Sequence, residues 1–376
     1  MSRSLQLGLF PTEAEADPMT ALVPDEVDIY ILNLSGGKDG PRAAALALDA
    51  ARAAGVEERV YTIHASLGPL EWPAVTVGGV RYPGSSELAA LHSRVLGVPT
   101  ERHIEVRRTR ELEGERVPYD LLTYIAERGD WPWKAVLPCR SDWKTGLIYG
   151  AFSSMVRARK KQLGRPVVCA NVLGLRADES PDRKKRPAFR TTTDNTARVV
   201  HEWSPAHQVT TQEVKDWTDE VTTQEVKDWT DEQGLPHQWC YDSHPGAGDW
   251  KGSSRCSCSL CVLASQRDLL LAVKRRPRLA ELYALVERVR GVPFNPNTSM
   301  AELIERAARP GAPDPGVVIE DEGPEFDALE NAVEAALKKP AKRARYVRPG
   351  TPADALPGSC DGCAAGNPTT AADQEA

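Results

Sequence analysis

Residues 35–40 read Ser-Gly-Gly-Lys-Asp-Gly and stand between the apolar run Val27–Leu34 and the alanine-rich segment Pro41–Ala54. A buried strand, a glycine turn and a helix start, in that order, make an anion cradle. Glycine lets the backbone come close to a phosphate, and the free N–H groups and dipole of a helix N-terminus favour negative charge. Lys38 adds a positive charge and Asp39 offers a carboxylate for Mg²⁺. Pro41 suits the first helical turn, where its missing N–H is no loss. The loop is neither GxxxxGK[ST] nor GxGxxG. Taken alone, its two adjacent glycines fit an ordinary strand-to-helix turn equally well.

A second set of residues carries metal or redox chemistry. Cys256, Cys258 and Cys261 crowd together and Cys240 lies shortly before them. Four thiolates at this spacing suit Zn²⁺ or a [4Fe–4S] cluster. Cys139 is an alternative fourth ligand, and the competing reading is reduced thiols packed as small hydrophobes. Cys169, inside an apolar run, reads as core, and Cys360-Asp-Gly-Cys363 sits in a linker-like tail. His64 follows a candidate strand and can face the cradle, whereas His237 and His244 flank Cys240. The basic runs Arg183–Arg186 and Lys274–Arg278 read as solvated faces or as contacts for nucleic acid. Trp72, Trp131, Trp133 and Trp143 fall around these segments and suit packing under loops better than stacking on a base.

The elements that must position these groups follow from the apolar pattern. Candidate strands are 28–34, 60–64, 102–106, 135–137 and 167–172, and candidate helices are 41–54, 86–96, 120–128 and 142–163. Alternation of buried-looking strands with helices predicts a parallel α/β sheet flanked by helices, with ligands beyond the carboxyl ends of the strands. Residues 265–290 and 300–308 read as helices, and 325–337 is the one helical stretch of the later region. The 376 residues, 41% apolar and 27% charged, hold one large domain with appendages or two domains. The expected division is a flexible leader (1–24), an α/β domain (25–205), a mainly helical cysteine-bearing extension (206–310) and a largely disordered tail (311–376). The net charge of −6 argues against a general nucleic-acid coat. Neither a long apolar span nor a secretory leader is visible, so a cytoplasmic protein with reduced, metal-bound or catalytic cysteines is expected.

Four further segments stand in order after the cradle: Ile63–Pro73, Pro138–Ile148, Gly174–Arg186 and Arg255–Ser265. Together the five resemble the phosphoadenosine phosphosulfate (PAPS) reductase-like branch of the PP-loop ATP pyrophosphatase superfamily, over roughly Asp28 to Ala308. SGGKDG resembles the superfamily's SGGxDS loop, Cys139-x-Ser141-Asp142-x-Lys144 its CTSDxK segment, and Gly174-x-Arg176-x-x-Glu179-Ser180-x-x-Arg183 its G-x-R-x-x-E-S-x-x-R. The resemblance implies an adenine nucleotide alpha hydrolase-like, Rossmann-like fold and binding of ATP or PAPS with Mg²⁺. Cleavage or displacement at a phosphate or sulfate would need positive charge and N–H donors more than covalent work by the protein. On this reading Ser35, Gly36, Gly37 and Lys38 hold phosphates and Asp39 holds Mg²⁺. Lys144, Arg176 and Arg183 face phosphate or sulfate oxygens, and His64 and Glu179 line the nucleotide site. Lys38, Asp39, Lys144 and Arg176 are the catalytic candidates, and Cys240, Cys256, Cys258 and Cys261 the candidate ligands of a cluster like those some relatives carry.

The implied activity is that of a sulfurtransferase or oxidoreductase: ATP-driven sulfur transfer to an unidentified acceptor, nucleic acid among the candidates, or reduction of an activated sulfate. The C-terminal Glu-Cys-Gly-Leu/Ile-His motif of thioredoxin-dependent PAPS reductases is missing, which favours sulfur transfer. Gly40 stands where the superfamily loop carries Ser or Thr, and Ser66 where relatives carry Asp. These departures support the alternative of a non-catalytic nucleotide-binding or nucleic-acid-associated module.

The middle of the chain holds an identical tandem repeat, VTTQEVKDWTDE at 209–220 and again at 221–232. Each copy opens with a capping-box pattern, Thr210-x-x-Glu213 and Thr222-x-x-Glu225. On one continuous helix Trp217 and Trp229 would lie about 120° apart, so only one copy can fill a given core site. The second copy therefore reads as a duplication without its own function. Deleting residues 221–232 is expected to leave the melting temperature and ligand binding unchanged; a large drop in the thermal midpoint would show the second copy to be structural.

Overall fold

The structure, a computed structural model, describes residues 22–132, 136–224, 237–256 and 258–342, the side chains of residues 219–224 excepted. Trp133, most of the second repeat copy, the pair Cys360 and Cys363 and the first 21 residues lie outside the described residues. Among the described residues ten strands occur in chain order: β1 (Ile29–Asn33), β2 (Val60–Ser66), β3 (Val75–Val77), β4 (Val80–Tyr82), β5 (His103–Arg107), β6 (Thr109–Leu112), β7 (Glu115–Pro118), β8 (Val167–Val172), β9 (Phe189–Asp194) and β10 (Arg198–Trp203). Six form one sheet in the order β5-β2-β1-β8-β10-β9, and the other four make two small hairpins. All neighbours in the large sheet run parallel except β9, which is antiparallel to β10.

Period-two alternation explains why β1 lies at the centre. Tyr30 and Leu32 enter one core with Ala43, Ala44, Ala47 and Leu48 of α1 (Asp39–Ala53), and Ile29 and Ile31 enter another with Phe152 and Val156 of a later helix. A strand buried on both faces reads as a continuous apolar run, the signature of a covered parallel sheet. Cys169 of β8 is fully buried, a core thiol as expected, and burial pushes its pKa up to about 12. Four candidate strands become β1, β2, β5 and β8 with end shifts of at most two residues. The fifth does not join the sheet: Val136 and Leu137 lie in none of its strands. Sequence reading misses β9 and β10, whose Arg- and Thr-rich faces lack an apolar run.

The other helices are α2 (Ser85–Val95), α3 (Leu121–Arg128), α4 (Pro138–Arg140), α5 (Gly146–Leu163), α6 (Pro181–Lys184), α7 (Thr211–Gln224), α8 (Gln266–Arg275), α9 (Pro277–Arg290), α10 (Met300–Ala307) and α11 (Pro324–Leu337). None is long and apolar enough to cross a membrane, among the described residues. The helix expected over 142–163 is a π-helical turn at Ser141–Thr145 followed by α5, with the single turn α4 just before it. The helix expected over 265–290 breaks at Arg276, because Pro277 lacks the N–H that would continue it. Helix α7 begins in the first repeat copy and runs into the second as far as Gln224, capped by Thr210 and Glu213 in the expected reciprocal box and burying Val214 and Thr218.

Residues 67–75, exit segment of the sheet, share one core with α3, α8, α9, α10 and α11, so the extension is built onto the α/β layer rather than set apart from it. The helix expected over 325–337 is α11, which buries Phe326, Leu329 and Val333 in that core. Arg276 and Asp321 lock this region. The guanidinium, 1% exposed, bonds Asp321 through Nε and Nη2 while its Nη1 donates to the Glu71 carbonyl (2.7 Å) and Ser259 Oγ (2.9 Å). Removing one partner of such a pair strands the other charge in a low dielectric. Asp321→Ala is expected to cost about 3–5 kcal/mol, read as a lower urea midpoint with little change in slope; a midpoint like that of the wild type would make the pair dispensable.

Candidate functional site

The cradle lies at the carboxyl end of β1. Helix α1 begins at Asp39, two residues earlier than its alanine-rich face predicts, with Lys38 as its N-cap residue. Gly36 has φ of 71°, and a Cβ there would lie 2.8 Å from the Ser85 carbonyl oxygen at the start of α2. Only glycine satisfies both conditions. Gly174 makes a second close approach: its Cβ would lie 2.7 Å from the Gly40 amide nitrogen. Gly40 itself is buried, with room for a Cβ only at 3.0 Å from the Asn33 carbonyl oxygen. The departure at this position thus coincides with tight packing of the strand end against the helix start.

Behind the cradle lies an ion-pair network. Arg176, 1% exposed, donates from Nε to Asp39 Oδ1 (2.7 Å), from Nη1 to Asp178 Oδ1 (2.5 Å) and the Val209 carbonyl (3.2 Å), and from Nη2 to Thr211 Oγ1 (3.0 Å). Lys38 Nζ lies 3.5 Å from Asp39 Oδ2. Arg176, expected at phosphate or sulfate oxygens, is therefore committed to protein acceptors, and its contact with the site runs through Asp39. The rest of that motif also closes on itself. Glu179 Oε2 accepts the Arg176 N–H (3.1 Å) and pairs with Arg183, and Ser180 Oγ accepts the Arg183 N–H (3.3 Å). Glu179 and Arg183 thus build the turn, and Arg183 keeps 36% of its side chain exposed.

Beside the cradle, β2 brings His64. Its Nδ1 is 2.9 Å from the Leu34 carbonyl oxygen and its Nε2 3.0 Å from Glu71 Oε2, with the ring 1% exposed. Both ring nitrogens face acceptors, which calls for an imidazolium. Burial disfavours that charge, but hydrogen bonding and attraction to Glu71 outweigh it and raise the pKa above the ordinary value. Lys144, on the π-helical turn, opposes the same charge and eases the ionisation of Cys139 and Cys258. Ser66 ends β2 and accepts the Gly68 N–H at 3.1 Å.

The extension supplies the remaining wall. Tyr241, which the sequence reading passes over, is 3% exposed, and its hydroxyl accepts N–H groups from Cys256 (3.1 Å) and Lys38 (3.5 Å). Lys38 Nζ also sits 5.2 Å from its ring centroid. Cys258 is tied to the exit of β2 by a backbone bridge to Glu71, and Ser259 N–H donates to the Leu70 carbonyl at 2.8 Å. The expected ligand quartet does not form a single donor set. Burial and the neighbouring Cys256 hold the Cys240 thiol well above its ordinary pKa, whereas Cys258 is raised by Cys261, by burial and by Cys139. Among the described residues no three His, Cys, Asp or Glu side chains converge tightly enough to enclose a metal ion. Thiols are the soft donors that suit zinc or iron–sulfur, and Cys139 lies on the side of Cys258 and Cys261 without closing a donor set with them. Neither His237, bonded to Asp242 Oδ1 at 2.9 Å, nor His244, beside Ser243 Oγ at 3.2 Å, joins them.

The His64–Glu71 pair makes a prediction with a definite sign. A raised folded pKa gives stability that is complete below the ordinary histidine value of about 6.5 and is lost as pH rises through the folded value. The unfolding free energy is expected to fall more steeply above that pH in the wild type than in His64→Gln, measured by urea titration across the range. Equal slopes would show that the imidazole carries no extra proton. No family model matches this chain, nor does any curated protein.

Proposed function

We propose that the chain binds an adenylyl nucleotide, ATP or PAPS, at the Ser35–Lys38 loop and uses it for sulfur chemistry as a cytoplasmic PAPS reductase-like enzyme. Its acceptor or reductant stays open, with nucleic acid among the candidate acceptors. The order of the large sheet, with β1 central and the loop at its carboxyl end, supports the adenine nucleotide alpha hydrolase-like class. The observation that carries the reading is the seam at Tyr241, where one hydroxyl accepts N–H groups from the loop and from the cysteine segment. A nucleotide held by the loop lies beside thiols, as sulfur transfer or sulfate reduction requires.

In this reading the backbone at Ser35, Gly36 and Gly37 meets the phosphates, and the Lys38 ammonium neutralises them. Lys144, from the other side, brings positive charge to the displaced phosphate or the sulfate. Asp39, oriented through Oδ1 by Arg176, is the carboxylate that would hold Mg²⁺, whose chemistry when bound is to neutralise phosphate charge. An iron–sulfur cluster or Zn²⁺, which would supply electron transfer or thiolate stabilisation, would need Cys258 and Cys261 to draw together with Cys139 or with Cys240 and Cys256. His64 acts at the base of the loop by holding the Leu34 carbonyl in place.

A binding-only module is the second reading, favoured by Gly40, by Ser66 serving as an acceptor for Gly68, and by the pairing of Asp39 with both neighbouring cations. Incubation with ATP and Mg²⁺, or with PAPS and a thiol reductant, separates the two: the enzyme releases pyrophosphate, AMP or sulfite, whereas tight nucleotide binding with no product under either condition identifies the module. On both readings Lys38→Ala is expected to weaken nucleotide binding about 10- to 100-fold, the worth of a charged hydrogen bond, with unchanged thermal unfolding. Wild-type affinity in that variant would remove the loop assignment.

A further inference from the structure

A cleft of about 620 Å³ opens in the extension, beside the turn at residues 240–243 that backs the phosphate loop. That volume falls in the roughly 300–1,000 Å³ range of small-molecule sites. Its wall carries four cations, Lys251, Arg267, Arg275 and Arg306, against the single carboxylate of Asp314. In a chain of net charge −6 this is a local inversion of sign.

The bonding of these groups leaves the cations under-compensated. Arg275 is 0% exposed, yet among the described residues no carboxylate lies within ion-pair distance of it. It donates only to carbonyls, those of Pro315 (2.8 Å), Cys240 (2.9 Å), Asp242 (2.7 Å) and Ser243 (3.1 Å). Carbonyl dipoles satisfy its N–H groups but supply no net negative charge, and a buried charge without a counter-ion is costly. Arg267 donates to the carbonyls of Gly252 (2.6 Å) and Lys251 (2.7 Å), and its nearest carboxylate, Asp268, is 3.9 Å away. Arg306 donates to Gln266 Oε1 at 3.1 Å and stands 3.8 Å from Glu302. Asp314 Oδ1 is itself taken by the Gly316 N–H at 2.9 Å. The cleft thus presents several positive charges at once, three of them the planar forks that match a tetrahedral oxyanion.

We propose that this cleft is a second anion site, separate from the phosphate loop, and that it takes the phosphate group of a phosphate ester. Both a small phosphorylated molecule and a polynucleotide backbone present that group. Arg267, Arg306 and Lys251 make the contacts at the mouth. Arg275 sets the potential at the floor and, through the carbonyls of Cys240 and Asp242, fixes the turn that carries Tyr241.

The test uses the full chain with two probes, inorganic phosphate and a fluorescein-labelled oligothymidylate. The double variant Arg267→Glu/Arg306→Glu is expected to lose about tenfold or more in affinity for the probe that the wild type binds, while ATP binding at the loop stays within about twofold. If the polynucleotide is the source, oligothymidylate binds and its affinity falls steeply between about 50 and 200 mM salt. If a small ester is the source, inorganic phosphate raises the thermal midpoint of the wild type but not of the variant, and the oligonucleotide does not bind. Lys251→Glu, at an exposed position, gives the same direction with a smaller loss should the double variant fold poorly. Lys38→Ala is expected to spare this site, so failure of the loop assignment and failure of the cleft are read separately. Equal behaviour of the wild type, the double variant and Lys251→Glu towards both probes would overturn the proposal.

Discussion

Arg176 is the hub on which the site depends. Its buried guanidinium joins the first turn of α1 through Asp39, the turn after β8 through Asp178, and the start of α7 through Val209 and Thr211. Three segments far apart in sequence are thereby set at fixed distances from the phosphate loop. The pair with Asp39 is worth having only because each remaining donor also finds an acceptor; a buried charge with unsatisfied hydrogen bonds would cost more than the attraction returns. The glycines complete the arrangement by subtraction. With no side chain at Gly36 or Gly174, the backbones of α1, α2 and the turn after β8 come into contact distance.

Much of this framework was legible in the sequence, because its causes are local. The run from residue 28 to 34 is apolar at every position but two, so its burial on both faces follows, and the glycines that follow it mark the turn. The capping box at Thr210 and the proline break after Arg276 are decided by neighbours in sequence. What sequence could not decide are the pairings. Arg176 carries the motif position of a phosphate ligand, but whether its charge faces solvent or Asp39, 137 residues away, is fixed by how β8 docks beside β1. Strands β9 and β10 escaped for a related reason: their Thr-, Arg- and His-bearing faces gain stability from cross-strand partners, which a single-sequence pattern does not contain.

The cysteines show the same limit more sharply. The spacing Cys-x-Cys-x-x-Cys makes the three thiols look equivalent, and Cys240 an obvious fourth. Tertiary anchors divide them. Cys256 is held through its N–H by the Tyr241 hydroxyl and pairs with Cys240, while Cys258 is pinned by its backbone to Glu71 and pairs with Cys261 near Cys139. Tyr241, adjacent to one pair and in contact with the loop, had no sequence signal beyond standing next to Cys240. The division matters chemically. It sets Cys256 beside Tyr241 and the glycine loop and Cys258 beside Glu71, so the two thiols stand in different surroundings.

The charges at the loop also decide which cation can leave its partner. Asp39 is shared by Lys38 and Arg176, but the two hold it unequally. Arg176 contributes a 2.7 Å hydrogen bond and is itself fixed by three further contacts, so moving it would leave several buried groups unsatisfied. Lys38 touches Asp39 only through a 3.5 Å ion pair, and its second neighbour is the face of Tyr241, a contact worth about 0.5–2 kcal/mol. On the proposed reading a phosphate would offer Lys38 a full counter-charge, but would offer Arg176 nothing that repays the network. The balance therefore assigns the two cations different work. Arg176 is fixed as the group that orients Asp39, and Lys38 is the less tightly held of the two charges.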